Sequence, residues 1–542
     1  PIGILDSSRV VEGNQTTAGQ TEHVGQNDRI QQVFIADGGY LESISIFAEN
    51  DLSRKVVNLS ISNDLGETVF SRNVALDTYE APGFFTVPVE FQTEAGRAYV
   101  WQISHPEEEL VLGWQNTGES AAPSNVENTS GNTQSGRITV TFWHAMNTDL
   151  IPELAEQFNQ SQDAVTVESL YQGEYGDVLN NFRMAMAAGG QDAPDIVQVY
   201  EGGSAFMIES GYATPVQQYI DEEQYDMSDI LPLIRNYYTY NGVMYSMPFN
   251  SSNAVLYYNK DMFREAGLDP DTPPATFAEL GEYAKKLQSS ETAGVALPID
   301  TSLFEFNMVN IGKEIVDNGN GRVERATKAV FADNGGGLEV FNAYNDLYLT
   351  GAAEDFGSDS LQAFMGRKTA MTISSSSLIS TVAKTVAENF EVGVGPMPRV
   401  DPDVDCGIPV GGGTLWLANK GTPDQERAAF QFMKFMIEPE TQAQWHMATG
   451  YYAISQQAYE LDSVKAFYEE NPLFKVAVEQ IMNSNTDAVG PVYAVNMEAR
   501  SKIQDHWRAM MEQRETPEQA ISAAEAEVTQ LIEQYNATNP LA

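Results

Sequence analysis

Four short polar segments hold the residues whose types could do chemistry. Glu201 stands before Gly202-Gly203. Asn250-Ser251-Ser252-Asn253 opens the run PFNSSNAVLYYNK. Ser374 to Ser377 form a serine cluster, and Gly411-Gly412-Gly413 precede Thr414-Leu415-Trp416. Each abuts an apolar run: Ile196–Tyr200, Ala254–Tyr258, Ala370–Ile373 and Leu415-Trp416. Hydroxyls and unhindered glycine N–H groups donate hydrogen bonds, and a carboxylate accepts them. Together they suit the holding of an oxyanion or a polyol, with no group that makes or breaks a bond. A serine- or glycine-rich turn is usually only a turn. Four of them at strand ends carry more weight, because α/β proteins bind ligands beyond the carboxyl ends of their strands.

Enzyme signatures are missing. There is no GxSxG elbow, no P-loop GK[ST] and no HExxH. With 76 acidic residues, any carboxylate pair chosen for glycosidase chemistry would be arbitrary. His446, in Gln444-Trp445-His446-Met447, sits among aromatic and apolar neighbours and is expected to be a packed core histidine. Asp401-Pro-Asp403-Val-Asp405 lacks the glycine and distal glutamate of a calcium loop and reads as a solvated turn. The chain calls for no cofactor and no metal.

Two grammars run along the chain. Residues 1 to 114 read as an all-β sandwich: Val57, Leu59 and Ile61 alternate, as do Phe85, Val87, Val89 and Phe91, and Tyr99, Trp101 and Ile103. Asn63-Asp64-Leu65-Gly66 marks a hairpin. Residues 115–136 (QNTGESAAPSNVENTSGNTQSG) have one large aliphatic residue, Val126, and read as a flexible linker. From residue 137 strands alternate with helices, which implies α/β layers. Thr276-Phe-Ala-Glu279 has capping-box spacing, and Thr422-Pro423 and Thr516-Pro517 read as helix starts.

Composition narrows the partners. A formal charge of −46 excludes nucleic acid. The single Cys406 forms no intrachain disulfide. No apolar run approaches the ~18 residues of a membrane helix. A chain beginning at Pro1 leaves a removed leader and an upstream lipid-carrying cysteine both open.

Leu256-Tyr-Tyr-Asn-Lys-Asp-Met-Phe-Arg-Glu-Ala-Gly-Leu-Asp269 with Pro273-Pro-Ala-Thr-Phe-Ala-Glu-Leu280 resembles the extracellular solute-binding proteins of ABC importers. Further matching pieces run in order over some 400 residues: Phe142-Trp-His144, Gln198-Val-Tyr-Glu201, Pro248-Phe-Asn-Ser-Ser252, Ala370-Met-Thr372, Leu415-Trp416 and Thr449-Gly-Tyr451. The likeness is greatest to members that take glycerol-3-phosphate.

It implies a two-lobed periplasmic-binding-protein fold (class II-like) over 137–542. Lobe 1 is expected at about 137–247 and 392–440, and lobe 2 at about 248–391 and 441–542, with crossings near 247–250 and 392–396. It also implies a ligand site of Tyr175, Glu201, Ser252, Ser375, Gly412, Tyr451 and Arg500. In it Glu201 accepts from ligand hydroxyls, and the arginine forks onto phosphate.

Two departures stand out. Arg500 comes one position earlier than the family pattern after Asn496-Met497. The segment 294–310 lacks the tryptophans that wall the ligand in relatives, leaving Trp143, Phe304 and Phe306 as candidate walls. A roomier pocket fits a glycerophosphodiester such as glycerophosphocholine as well as glycerol-3-phosphate. A sugar receptor of the same fold is the alternative, and a glycan-active enzyme with a carbohydrate-binding module a more distant one. The expected protein is a monomeric receptor outside the cytoplasm. It hands its solute to ABC permease subunits and meets the membrane only through a lipid anchor, if at all.

Overall fold

The computed structural model describes residues 137–539 throughout, and before them ten strands between Gly3 and Asn116 by their backbone. The chain divides into two compact units, Pro1–Thr133 and Gln134–Ala542. In the first unit the strands pair antiparallel into two four-stranded sheets and one two-stranded sheet. Val56–Asn63 and Thr68–Ala75 pair with Ser62 opposite Thr68, as the turn residues between them predict. The last strand, Leu110–Asn116, runs two residues into the expected linker, the rest of which lies outside the described residues.

The second unit is built on two sheets. The first has the order Val165–Tyr171, Ile138–His144, Ile196–Tyr200, Gly411–Ala418, Ala213–Thr214, with Met247–Ser252 also paired to Gly411–Ala418. Its first three strands are parallel, and Gly411–Ala418 runs against them. The second sheet has the order Ala353–Glu354, Val295–Ala296, Met371–Ser375, Ala254–Asn259, Val392–Pro396. Strands of this kind, covered by helices on both faces, are apolar along their length. Ala254–Asn259 is buried at every position.

The two sheets meet at one residue. Met247–Ser252 belongs to the first sheet and Ala254–Asn259 to the second, so the chain changes lobes at Asn253. That residue is 2% exposed and tied on three sides. Its N–H donates to Ser376 Oγ (3.1 Å), its carbonyl accepts from Ser376 N (2.8 Å), and its side-chain amide donates to the Ala477 carbonyl (3.3 Å).

Both expected crossings therefore shift. The first falls at Asn253 and not within 247–250. Val392–Pro396 pairs with Ala254–Asn259 in the second sheet, so the return lies between Pro396 and Gly411. Residues 441–454 also move to the first lobe, because Trp445, Tyr452 and Ile454 pack in its core with Phe249, Leu415 and Phe432. Phe249 sets its ring 4.7 Å from that of Trp445.

Helix starts follow the capping residues in part. Thr276 accepts from Glu279 N (3.1 Å), and Thr516 forms a full capping box with Gln519. Thr422 makes no side-chain cap bond. At the lobe boundary, away from the crossings, Glu209 of the first lobe takes both arms of Arg325 and the Tyr535 hydroxyl (2.9 Å).

His446 is a core residue, as expected. It is 1% exposed; its Nδ1 meets the Tyr451 carbonyl (2.6 Å) and its Nε2 the Tyr468 hydroxyl (2.8 Å). Burial lowers its pKa to about 4, and His144 likewise to about 4. Each is depressed below its unfolded value, so its stabilisation is whole above the unfolded pKa of roughly 6.5. It is lost as pH falls from there towards the folded value. The expected outcome is a lower urea midpoint at pH 5 than at pH 7, with about 2 kcal/mol lost per histidine. His446→Gln should flatten that slope by close to half.

Candidate functional site

The cleft between the two sheets holds a cavity of about 760 Å³. Strand ends feed it from both sides. Ser252 stands opposite Gly411, and Ser251 opposite Gly412. Across the crossing, Ala254 stands opposite Ser375 at the end of Met371–Ser375. Glu201 follows the strand Ile196–Tyr200, whose Tyr200 pairs with Gly413. The sheet register alone thus brings three of the four polar segments of the sequence to one place, and the single-residue crossing adds the fourth.

Glu201, Ser252, Ser375, Phe306 and Arg500 line the cavity. The Glu201 carboxylate accepts from Gly412 N–H at 3.3 Å and faces an Arg500 nitrogen at 3.6 Å. Burial raises the Glu201 pKa, while Arg500 and the Gly412 N–H oppose the rise. Ser252 is 8% exposed. Its backbone carbonyl accepts from Tyr452 Oη (3.2 Å), and its hydroxyl makes no hydrogen bond within the described residues. It is a spare donor at the cavity wall. Ser375 Oγ is 2.9 Å from Ser377 Oγ and caps the short turn that follows.

Tyr175, Gly412 and Tyr451 gather around Asn250 rather than on the main cavity wall. Asn250 donates to the Tyr175 hydroxyl (2.7 Å) and accepts from Gln198 (2.7 Å). Gln198 in turn accepts from Ala145 N–H (2.8 Å), which closes a buried amide chain. Burial and the neighbouring Tyr451 push the Tyr175 pKa well up, so it stays a neutral donor. Tyr451 stacks on Trp445, with ring centroids 5.8 Å apart. Gly412 has φ +112°, and a Cβ there would lie 2.2 Å from the Asn250 carbonyl oxygen. No other residue type fits that position without backbone movement.

Two of the candidate walls sit elsewhere. Phe304 is fully buried in the second-lobe core, edge-on to Phe331 at 5.5 Å and to Phe341 at 5.7 Å. Trp143 packs half-buried in the first lobe, in a cluster with Val197, Trp416 and Tyr200. Neither lines the cavity. Phe306 does, and its ring comes within 3.6 Å of where a Cβ on Gly411 would stand.

Sequence reasoning missed Glu305. Its carboxylate takes the Arg500 fork, with Nε at 3.0 Å and an Nη at 2.6 Å, and it also accepts from Asn496 at 3.2 Å. Burial works against the Arg500 charge, but Glu305 and Glu201 hold its pKa well up. The arginine therefore sits at the carboxylate end of the cleft and is not an empty fork. Gln504 and Arg508 also line the cavity, four and eight residues beyond Arg500 on the helix Asn496–Met511. That i, i+4, i+8 spacing was the available signal, since it puts the three on one helix face.

Among the described residues no cluster of three or more His, Cys, Asp or Glu is placed to hold a metal, and no helix is long and apolar enough to cross a membrane. Gly412→Ala should cost more than ~2 kcal/mol of stability through the strained φ and the clash with Asn250. A lower melting temperature, together with a disturbed tyrosine environment in near-UV circular dichroism, checks this.

Comparison with known proteins agrees with this architecture. The family model of the bacterial extracellular solute-binding protein matches residues 153–476. The sn-glycerol-3-phosphate-binding periplasmic protein UgpB of Escherichia coli O6:K15:H31 is 30% identical over 418 residues, covering 73% of this chain and 93% of the relative. UgpB of Yersinia enterocolitica is 32% identical over 416 residues, covering 74% and 93%. Among solved structures, UgpB of Mycobacterium tuberculosis in complex with glycerophosphocholine matches with a TM-score of 0.63 at 20% identity, over 74% of this chain and 100% of that one. A cyclic α-maltosyl-1,6-maltose binding protein from Arthrobacter globiformis matches with a TM-score of 0.64 at 20% identity, over 74% and 100%. The chain belongs to the bacterial extracellular solute-binding protein family.

Proposed function

We propose that the protein is the solute receptor of an ABC importer and closes its two lobes on a glycerophosphoester. A glycerophosphodiester such as glycerophosphocholine fits better than glycerol-3-phosphate. The observation that carries this reading is Arg500 facing Glu201 across the cleft at 3.6 Å, beside the unpaired Ser252 hydroxyl. Glu201 with Arg500 holds a diol, acceptor and donor side by side. Ser252 and Ser375, on the cavity wall, supply neutral donors for phosphate oxygens. Hinge closure follows from the contribution of both lobes to the site, because solute held by one lobe stabilises the approach of the other. Relatives named for glycerol-3-phosphate and a fold neighbour holding glycerophosphocholine support the ligand class.

Charge selects within that class. Glu201, Asp300 and Asp355 against Arg500 and Arg508 line the cavity, and Glu305 lies behind Arg500, so four acids meet two arginines. A zwitterion is repelled less by such a cleft than a dianion. A cavity of about 760 Å³ also has room for a headgroup beyond glycerol phosphate.

A sugar receptor is the second reading. It is favoured by the engagement of Arg500 with Glu305 and by fold neighbours that bind maltosyl sugars. The N-terminal strands are taken as a sandwich that spaces the receptor from its attachment outside the cytoplasm, with a lipid anchor as the simplest attachment and a monomer as the working form.

Calorimetry of the whole chain with glycerophosphocholine, glycerol-3-phosphate and maltose is the test. Heat with a phosphoester supports the assignment, and heat with maltose alone overturns it. Arg500→Ala is a poor discriminator, because it strands the buried Glu305. Ser252→Ala removes only a donor that faces the cavity. It should weaken phosphoester binding about tenfold, in line with one lost hydrogen bond to a charged group, and leave the melting temperature of the free protein within about 2 °C.

A further inference from the structure

The Glu305–Arg500 pair bears on ligand charge. Glu305 is 4% exposed and takes the Nε and one Nη of Arg500, the pair of donors on a guanidinium best matched to a bidentate anion. The same Nη nitrogen faces Glu201 at 3.6 Å. An incoming phosphate oxygen therefore finds the good face of the guanidinium taken. It also meets a local sum of two carboxylates and one cation. The cavity wall adds Asp300, Asp355 and Arg508, so acids still outnumber arginines, and Ser252 and Ser375 are neutral donors.

We propose that Glu305 sets the charge selectivity of the cleft: by holding Arg500 it leaves the cup with a net negative charge, which admits a phosphodiester monoanion and disfavours a phosphomonoester dianion. The inference rests on the phosphoester reading above. A phosphomonoester has a second ionisation near pH 6, so at pH 7.5 it brings a charge that a diester lacks. Neutral donors tolerate the first charge, since they stabilise it without a counterion. The second adds repulsion at short range from the acidic groups of the cleft. Glu305 is a positioning residue in this scheme. It acts through Arg500 and does not line the cavity.

The test compares affinities for glycerophosphocholine and glycerol-3-phosphate at pH 7.5 in wild type, Glu305→Gln and Glu305→Asp. Wild type should favour the diester. Glu305→Gln, which keeps the shape and removes the charge, should shift the affinity ratio about tenfold towards the monoester. Glu305→Asp keeps the charge and should keep the wild-type ratio, although both affinities fall. Equal shifts in the two variants would mean a packing effect and overturn the inference, as would an unchanged ratio in Glu305→Gln. If Glu305→Gln does not fold, wild type taken from pH 7.5 to pH 5, where the monoester loses its second charge, should lose its preference for the diester, and a preference that persists unchanged overturns the inference. Wild-type protein that binds neither phosphoester removes the phosphoester reading, and this inference with it.

Discussion

The site depends on the way the chain passes between lobes at Asn253. Six residues of one sheet and six of the other are separated by this single position, so the last residue of the first strand and the first of the second are fixed relative to each other. Three hydrogen bonds hold Asn253 in place of the apolar packing that fixes its neighbours. A longer connection would let the lobes drift and would scatter Ser252 from Ser375. The polar run in PFNSSNAVLYYNK is therefore the joint at which a buried strand changes sheets. Buried backbone groups released from one ladder must be satisfied before the next begins.

Charge is handled in the same economical way. Two carboxylates, Glu201 and Glu305, stand within hydrogen-bond or near-contact range of the one Arg500 guanidinium. Burying one carboxylate alone would be costly, and a single arginine shared between the two offsets part of that cost. The arrangement ties the helix Thr301–Asn310 to the helix Asn496–Met511 within one lobe. Its remaining reach extends to Glu201 in the other. The far edge of the lobe boundary has a comparable motif, in which Glu209 gathers Arg325 and Tyr535.

Much of this was legible in the sequence where the signal is local. Strand ends announce themselves as polar residues after apolar runs, so Glu201, Ser252, Ser375 and the glycines could be named without coordinates, and the register brings them together. The signal failed where neighbours along the chain point in different directions. Phe304 and Phe306 differ by two helical positions, roughly 200° of rotation, so one enters the core and the other the cleft. Eight of the ten residues of that helix are buried, which leaves no polar stripe to orient it. Glu305 escaped notice because its partner lies 195 residues away. The strand Val392–Pro396, alternating valine with glycine, carries nothing that tells one lobe from the other.

Gly412 has one more implication. Its N–H is a backbone group, held at φ +112° against Asn250, and side-chain mutation cannot delete it. Most substitutions at that position break the strand before they retune the ligand. Descendants of this receptor that acquire a new solute are thus expected to keep this donor and to diversify along Asp300, Phe306, Gln504 and Arg508. Those side chains can change without disturbing a sheet, so the outer chamber is the evolvable part of the receptor and the glycine strand its inherited part.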